Sequence, residues 1–361
     1  MAGPGIRAYH LAQELSRHFS TSLVAQFEDF TLDREGFTAI QRDTAEARWS
    51  LLHADVIIGQ PARDILALSR KGRKIVYDLF DPNVLELREL YGPKPTLRQS
   101  VHYNREWGRL RMALQHGDLL LAATPRQKDF YTGVYCSFAP AMSEWLDRWI
   151  EIPFGVPSEA PQGDSGLDSS RPWIVWGGGT WEWLDPLTAI QAVGKLNEER
   201  LDCRLLFMGA ERPNREVSTP GNPPGLQKAL SQAGDSVVRN TEWVPYRERG
   251  KWLTGARMGV MLHSRTMEAE FSIRTRLFDA IWCSLPMVAT AGGYAADLIE
   301  REGLGVVVNP ADVTSVAAGM RRLLTDDAFH ASCVSNLDRI RPRYRWDVIT
   351  RPLVEAISQW Q

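Results

Sequence analysis

The chain has 361 residues, with 42 Lys and Arg against 44 Asp and Glu, a formal net charge of −2. That length suggests two domains, and the near-neutral balance offers no global field for nucleic acid. Four widely spaced cysteines (Cys136, Cys203, Cys283 and Cys333) argue against a zinc site or a disulfide scaffold, no apolar run reaches the roughly 18 residues of a membrane span, and the first residues do not read as a signal peptide.

Along the first half, helical patterns at Arg7–Arg17 and Val101–Gln115 alternate with short apolar runs. Those runs predict strands at Ser22–Phe27, Asp55–Ile58, Lys74–Tyr77 and Asp118–Ala122. Ser158–Arg171 is rich in Ser, Gly, Pro and Asp and reads as an interdomain linker. The second half restarts the alternation. Strands are predicted at Trp173–Trp176, Arg204–Met208, Ser236–Val238, Met258–Leu262, Met287–Ala289 and Gly305–Val308. Helices are predicted at Pro186–Glu198, Pro224–Gln232, Ile273–Cys283 and Thr314–Leu324, with a last amphipathic helix over Trp346–Trp360. Pro213–Pro223 reads as a polar loop. The pattern predicts an α/β protein of two Rossmann-like domains facing across a cleft. The first domain opens on a helix, so its first strand is missing. Either a strand precedes Met1 in a longer protein or the domain closes around a smaller sheet.

The segment with the most chemistry runs from Leu262 to Gly293. A strand ends near His263, an acidic loop with Glu268 and Glu270 follows, and a helix opens near Ser272. On a wheel, Ile273, Leu277, Ala280 and Ile281 share one side, and Ser272, Thr275, Arg276 and Asp279 share the other. Arg274 falls among the apolar positions of the first turn, where a charge must be paired or must reach an anion. A helix start itself suits a phosphate. Arg276 and Asp279 read equally as a surface pair. The Gly177-Gly178-Gly179-Thr180 turn after the Trp173–Trp176 strand would let backbone approach a diphosphate, or is simply a tight βα turn.

The Leu262–Gly293 segment resembles the donor-site segment of family 4 glycosyltransferases, and the Arg274-Thr275-Arg276 pattern resembles a bacterial subgroup of them. The resemblance implies the GT-B fold. It implies a domain at residues 1–157, a linker at 158–171, a nucleotide-sugar domain at 172–340 and a tail at 341–361 crossing back to the first domain. Two acids of that family hold the sugar hydroxyls and the ribose diol. Asp279 matches the second. The usual spacing of the first lands on Phe271, which leaves Glu270 and Glu268, of which Glu268 is preferred. Arg274 would replace an Arg and Lys pair that the family places after the glycine turn and this chain lacks. Gly3-Pro4-Gly5-Ile6-Arg7 resembles the family's glycine loop, with Arg7 as a further cation or a plain surface residue. Asn240–Tyr246 matches a strand and loop near the nucleobase.

On these grounds the catalytic candidates are Glu268, Arg274 and Asp81. The substrate-binding candidates are Gly3, Gly5, Arg7, Asp78, Gly178, Gly179, Thr180, Glu270, Thr275, Arg276 and Asp279. Asp78 and Asp81, in Tyr77-Asp78-Leu79-Phe80-Asp81-Pro82 at a strand end, would meet acceptor hydroxyls or a positive anomeric centre, or else form a helix cap. The resemblance implies sugar transfer from a nucleotide-sugar to an acceptor hydroxyl, with retention, no metal and no cofactor beyond the donor, in glycan or polysaccharide synthesis. The acceptor would be a glycan, a lipid-linked sugar or a small molecule, and the location cytoplasmic, at or near the inner face of a membrane. Arg98, Arg105, Arg109 and Arg111 near Trp107 read either as a peripheral membrane contact or as a solvated helix face. A sugar-nucleotide epimerase and a non-catalytic nucleotide-sugar-binding protein are the alternatives.

Overall fold

Strands buried on both faces of a parallel sheet read as continuous apolar runs, and the strands at Leu119–Ala122, Trp173–Trp176, Met258–Met261 and Met287–Thr290 are built that way. The computed structural model describes residues 3–26, 36–62, 65, 73–139, 144–161, 166–168, 170–181, 183–209, 223–240, 242 and 244–360. Residues 213–222 of the expected polar loop lie outside them, as does Trp243. The chain divides into two units, one made of residues 1–155 and 344–361, the other of residues 156–343.

The first unit begins with α1 (Gly3–Leu15), β1 (Ser22–Ala25), β2 (Thr38–Gln41) and α2 (Ala45–His53). It continues through β3 (Val56–Gly59), β4 (Lys74–Asp78), α3 (Asn83–Tyr91), α4 (Leu97–His116), β5 (Leu119–Ala122), α5 (Pro125–Cys136) and β6 (Trp149–Glu151). Its strands form a parallel pair, β1-β2, and a parallel sheet in the order β3-β4-β5-β6. No ladder joins the two among the described residues. Ile75, Val76 and Tyr77 of β4 and Leu120 and Leu121 of β5 are fully enclosed at the centre. Two helices start on side-chain caps. Thr96 and Gln99 exchange hydrogen bonds in a capping box at α4, and Thr124 accepts from the Gln127 amide at α5, with Pro125 in the first turn.

The C-terminal residues complete this unit as α14 (Trp346–Ile349) and α15 (Arg351–Ser358). The single helix expected over Trp346–Trp360 is therefore two, hinged at Thr350. Pro352 causes the break, because it has no N–H to carry the first helix onward. The Trp346 ring is buried, stacks 5.0 Å from His10 of α1 and meets Phe154 edge-on at 5.4 Å. Gly155 makes room for it, since a Cβ there would lie 2.3 Å from the indole.

The second unit carries β7 (Trp173–Trp176), α6 (Pro186–Glu198), β8 (Arg204–Phe207), α7 (Leu226–Ala233), β9 (Val237–Arg239) and α8 (Arg249–Thr254). There follow β10 (Met258–Met261), α9 (Met267–Phe271), α10 (Thr275–Trp282), β11 (Met287–Thr290), α11 (Gly293–Glu302), β12 (Gly305–Val308), α12 (Val313–Thr325) and α13 (Asp327–Ile340). All six strands are parallel, in the order β12-β11-β10-β7-β8-β9. The direction of winding reverses between β7 and β10, which pair through Ile174 with Met258 and Val175 with Gly259. In doubly wound sheets ligands bind outside the carboxyl ends of strands at such a reversal. Here those ends are the Gly177–Thr180 turn and the stretch after Met261.

The helix expected over Ile273–Cys283 begins later. Ser272 has extended backbone and ends α9, and Arg274, at φ −87° and ψ 94°, stands just ahead of α10. Arg274 is thus at the cap position and not in the first turn. Ser272 to Arg274 form a short link between two helices, and that link lets Arg274 turn back onto α9.

Candidate functional site

At the end of β7 the chain makes a tight turn through Gly177, Gly178 and Gly179 to the buried Thr180. Gly178 has φ +80°, a conformation that glycine takes without strain. The Gly179 carbonyl accepts from the indole N–H of Trp176 at 3.1 Å and from Arg276 Nη2 at 2.6 Å. The Arg276 guanidinium also lies 5.1 Å from the Trp176 ring. Arg276, from the first turn of α10, is therefore clamped against the glycine turn and is not paired with Asp279.

Arg274 turns back to α9. Its Nη1 and Nη2 donate to the two oxygens of Glu268 at 2.9 and 2.6 Å, and Glu268 is buried. Thr266 starts α9 by accepting from the Ala269 amide, which sets the position of Glu268 in its first turn. At this site two guanidinium nitrogens stay buried without a partner, Nε of Arg274 and Nη1 of Arg276; Arg7 Nη2 and Arg204 Nε do so elsewhere. Burial, followed by the neighbouring charge of Arg274, pushes the Arg276 pKa down to about 9. A buried cation with unfilled donors is stabilised by an anion.

Glu270, on the same short helix, accepts from the Gly293 amide at 3.3 Å at the start of α11. Gly292 and Gly293 have φ of +106° and +74°, and a Cβ on Gly293 would lie 2.3 Å from the Ala269 carbonyl oxygen. Both glycines are needed for α9 to sit against α11. His263 closes the site from β10. Its ring is almost fully buried, Nδ1 lies 3.1 Å from the Ser264 carbonyl, and its amide donates to Thr290 Oγ1. Burial, and then the charge of Arg274, push its pKa down to about 4, so the ring is neutral at pH 7. In the sequence His263 stands out only as a strand end. The signal that finds it is its place directly after the apolar run Met258–Leu262 of a central strand.

Asp279 pairs with a residue of another helix. Its Oδ1 accepts from Nε of Arg249 at 2.8 Å. Arg249 lies 3.7 Å from the ring centre of Tyr246 and 4.4 Å from that of Trp282, and donates to the Tyr246 carbonyl and hydroxyl. Neither Arg249 nor Tyr246 is a candidate on spacing alone. Thr275 opens α10 beside Arg274 and is half-buried.

In the first unit, Gly3 and Gly5 are not in a loop. They form the first turn of α1, for which Pro4 is preset by its ring. Arg7 is not a surface residue. It is fully buried, its Nε donates to Asp78 Oδ2 at 2.7 Å, and its Nη1 donates to the carbonyls of Ile152 and Pro153. The pair ties α1 to the end of β4 and leaves Arg7 Nη2 and Asp78 Oδ1 buried without a partner. Asp81 stands half-buried just before α3, and Arg109 is engaged by Glu106 at 2.7 Å.

Residues 171–326 match the protein family described as "Glycosyl transferases group 1". The second unit carries a glycosyltransferase domain. Three solved structures share the fold of the whole chain at low identity. Sucrose-phosphate synthase from Thermosynechococcus elongatus is 15% identical, with a TM-score of 0.67 over 99% of this chain and 94% of its own. WaaG, a glycosyltransferase involved in lipopolysaccharide biosynthesis, is 16% identical, with a TM-score of 0.68 over 99% and 97%. HepE of Anabaena, solved in complex with UDP-glucose, is 13% identical, with a TM-score of 0.65 over 99% and 97%. No curated protein matches the sequence. The fold is the GT-B arrangement of two Rossmann-like α/β units, and the glycosyltransferase domain coincides with the unit that holds Arg274, Arg276 and the glycine turn. Among the described residues, no helix is long and apolar enough to cross a membrane.

Proposed function

We propose that this glycosyltransferase moves a sugar from a nucleotide-sugar to an acceptor hydroxyl with retention of configuration, without a resident metal or cofactor. One observation carries the reading: Arg276, clamped to the glycine turn where the strand order reverses, keeps Nη1 buried without a partner, and the neighbouring Arg274 keeps its Nε unpartnered as well. A diphosphate is the ligand whose charge and oxygens fit those donors.

In this reading Arg276 and Arg274 hold the donor diphosphate and take up the charge that grows on it as the glycosidic bond to phosphate breaks. Glu268, with both oxygens engaged by Arg274, aims that cation, and Glu270, on the same short helix, is the acid that would meet sugar hydroxyls. Asp279, steadied by Arg249, faces the ribose. The new bond forms between the anomeric carbon and the acceptor oxygen. The acceptor proton passes to the departing phosphate oxygen, so no enzymic base is assigned. Asp81 of the first unit is the candidate for orienting the acceptor. The WaaG and HepE likenesses make UDP-sugars the first donors to try and favour a glycan or lipid-linked acceptor, in polysaccharide synthesis at the cytoplasmic face of a membrane. The exposed Leu97 and Val101 beside Arg98 on α4 suit such a surface.

The test is thermal unfolding with nucleoside diphosphates and nucleotide-sugars. A ligand at 100 times its dissociation constant adds about 2.7 kcal/mol to stability. Stabilisation by one nucleotide class, lost in Arg276→Ala, supports the reading. No response to any member of the panel overturns it. Release of free sugar nucleotide epimers in place of transfer would favour the epimerase alternative.

A further inference from the structure

The first unit has a groove between α4 and α5, remote in sequence from every residue assigned to the donor site. Its volume is about 750 Å³, and it is lined by Asn104, Trp107, Arg111, Asp129, Phe130 and Ser137, together with Gly108 and Gly133. That volume falls inside the roughly 300–1,000 Å³ range of small-molecule sites. We propose that this groove is a saccharide-binding site separate from the donor site.

Gly108 and Gly133 lie inside helices, where each costs about 1 kcal/mol relative to Ala. Neither has a positive φ, and a Cβ at either would meet nothing within 4 Å. They serve neither a turn nor close packing of the helices. Both are exposed and both line the groove, so a side chain at either position would stand in it.

Trp107 and Phe130 are half-buried and give the groove its aromatic surfaces. The Trp107 ring is braced edge-on by Tyr103 at 6.2 Å, and Arg111 is steadied over the Phe138 ring at 5.1 Å. Around these stand an amide, a carboxylate, a guanidinium and a hydroxyl, from Asn104, Asp129, Arg111 and Ser137. A pyranose has an apolar face of C–H groups and a rim of hydroxyls that both donate and accept. The groove offers that combination: aromatic faces to stack on, and planar polar groups of both kinds at the edge. A phospholipid headgroup fits less well, because Asp129 would repel it, and the exposed apolar residues Leu97 and Val101 do not line the groove.

The experiment is binding of the full-length chain to an array of immobilised neutral oligosaccharides. It is repeated with Trp107→Ala, Gly133→Leu and Arg276→Ala, and with phosphatidylglycerol vesicles. The expected result is retention of at least one oligosaccharide class. Its affinity falls about tenfold or more in Trp107→Ala, the size of a lost aromatic stack, and falls likewise when leucine fills the groove. Arg276→Ala leaves it unchanged, so the outcome is independent of whether the donor site takes a nucleotide. Gly133→Leu should keep the thermal midpoint and any nucleotide response of the parent. No retained oligosaccharide, or retention indifferent to Trp107 and Gly133, overturns the proposal. So does binding to vesicles alone that depends on Trp107, which would give the groove to a lipid surface.

Discussion

Arg249 and Asp279 meet at 2.8 Å, with the Arg249 guanidinium lying over the rings of both Tyr246 and Trp282. The pair fixes α8 against α10 and leaves Asp279 with one oxygen committed. Arg249→Ala removes a buried cation from two aromatic faces and leaves Asp279 uncompensated. The expected loss of stability is about 2 kcal/mol, read from urea unfolding. Arg249→Lys recovers only part of it, because an ammonium cannot reach the carboxylate and lie flat on a ring together. An unchanged urea midpoint in Arg249→Ala would refute this role.

The Glu268–Arg274 pair is deeper. Glu268→Gln keeps the shape of the side chain and deletes its charge. Arg274 then stays in its position at the head of α10 without a counter-ion, and the expected destabilisation is about 3 kcal/mol. A bound nucleoside diphosphate restores a counter-ion, so the variant should gain more stability from ligand than the parent does. Parallel denaturation curves with and without ligand check this.

Burial and the neighbouring charge of Arg274 both act against the Arg276 cation, but a guanidinium keeps its proton throughout the working pH range of proteins. What burial does is raise the demand for a counter-ion. Arg276→Ala should therefore weaken diphosphate binding by about tenfold or more at every pH from 7 to 9. Isothermal titration of parent and variant across that range is the measurement, and equal affinities would refute the role.

His263 makes stability depend on pH. Its folded pKa of about 4 lies below the ordinary value of 6.5. Between those values the unfolded chain binds more protons than the folded one, so stability falls as the pH drops through this window. The contribution is on the order of 3 kcal/mol, present in full above pH 6.5. Replacing His263 with Gln should remove that part of the acid destabilisation. The difference between the two stability curves from pH 7 to 4 is the measurement.

The four thiols divide by exposure. Cys136 is exposed, while Cys203, Cys283 and Cys333 are buried. Burial pushes the Cys203 thiol up to about 11, and raises Cys283 and Cys333 as well. Native protein should give one rapidly titrating thiol with a disulfide reagent, and unfolded protein four. A second fast thiol in the native state would contradict the burial of the others.

Most strands were readable from sequence because buried parallel strands are uninterrupted apolar runs. Trp173–Trp176 and Gly305–Val308 match residue for residue. β2 was not readable, since Thr38–Gln41 buries Ile40 alone, and β6 is a three-residue edge. α2 likewise buries only Ala47, so its apolar face gives no periodic signal. α11 hides behind two glycines that look like a loop. At the site, residue types were more legible than partners. That Arg274 needed a counter-charge or an anion followed from its apolar neighbours, but its pairing with Glu268 depends on a break at Ser272 that helical periodicity does not encode. Arg249 and Asp279 come from separate helices, and only the tertiary structure joins them.

The division of the chain has a consequence for synthesis. Residues 156–343 are one continuous stretch, whereas the first unit is completed by residues 344–361. Trp346, the residue that fills the space over Gly155 and stacks on His10, leaves the ribosome after the whole second unit. Domains ordinarily finish folding in the order they are made, N-terminal first. Here that order is reversed. The glycosyltransferase domain can mature on the nascent chain while the N-terminal unit waits, with α1 still lacking its aromatic partner. A premature stop near Arg343 would therefore damage the unit that was translated first.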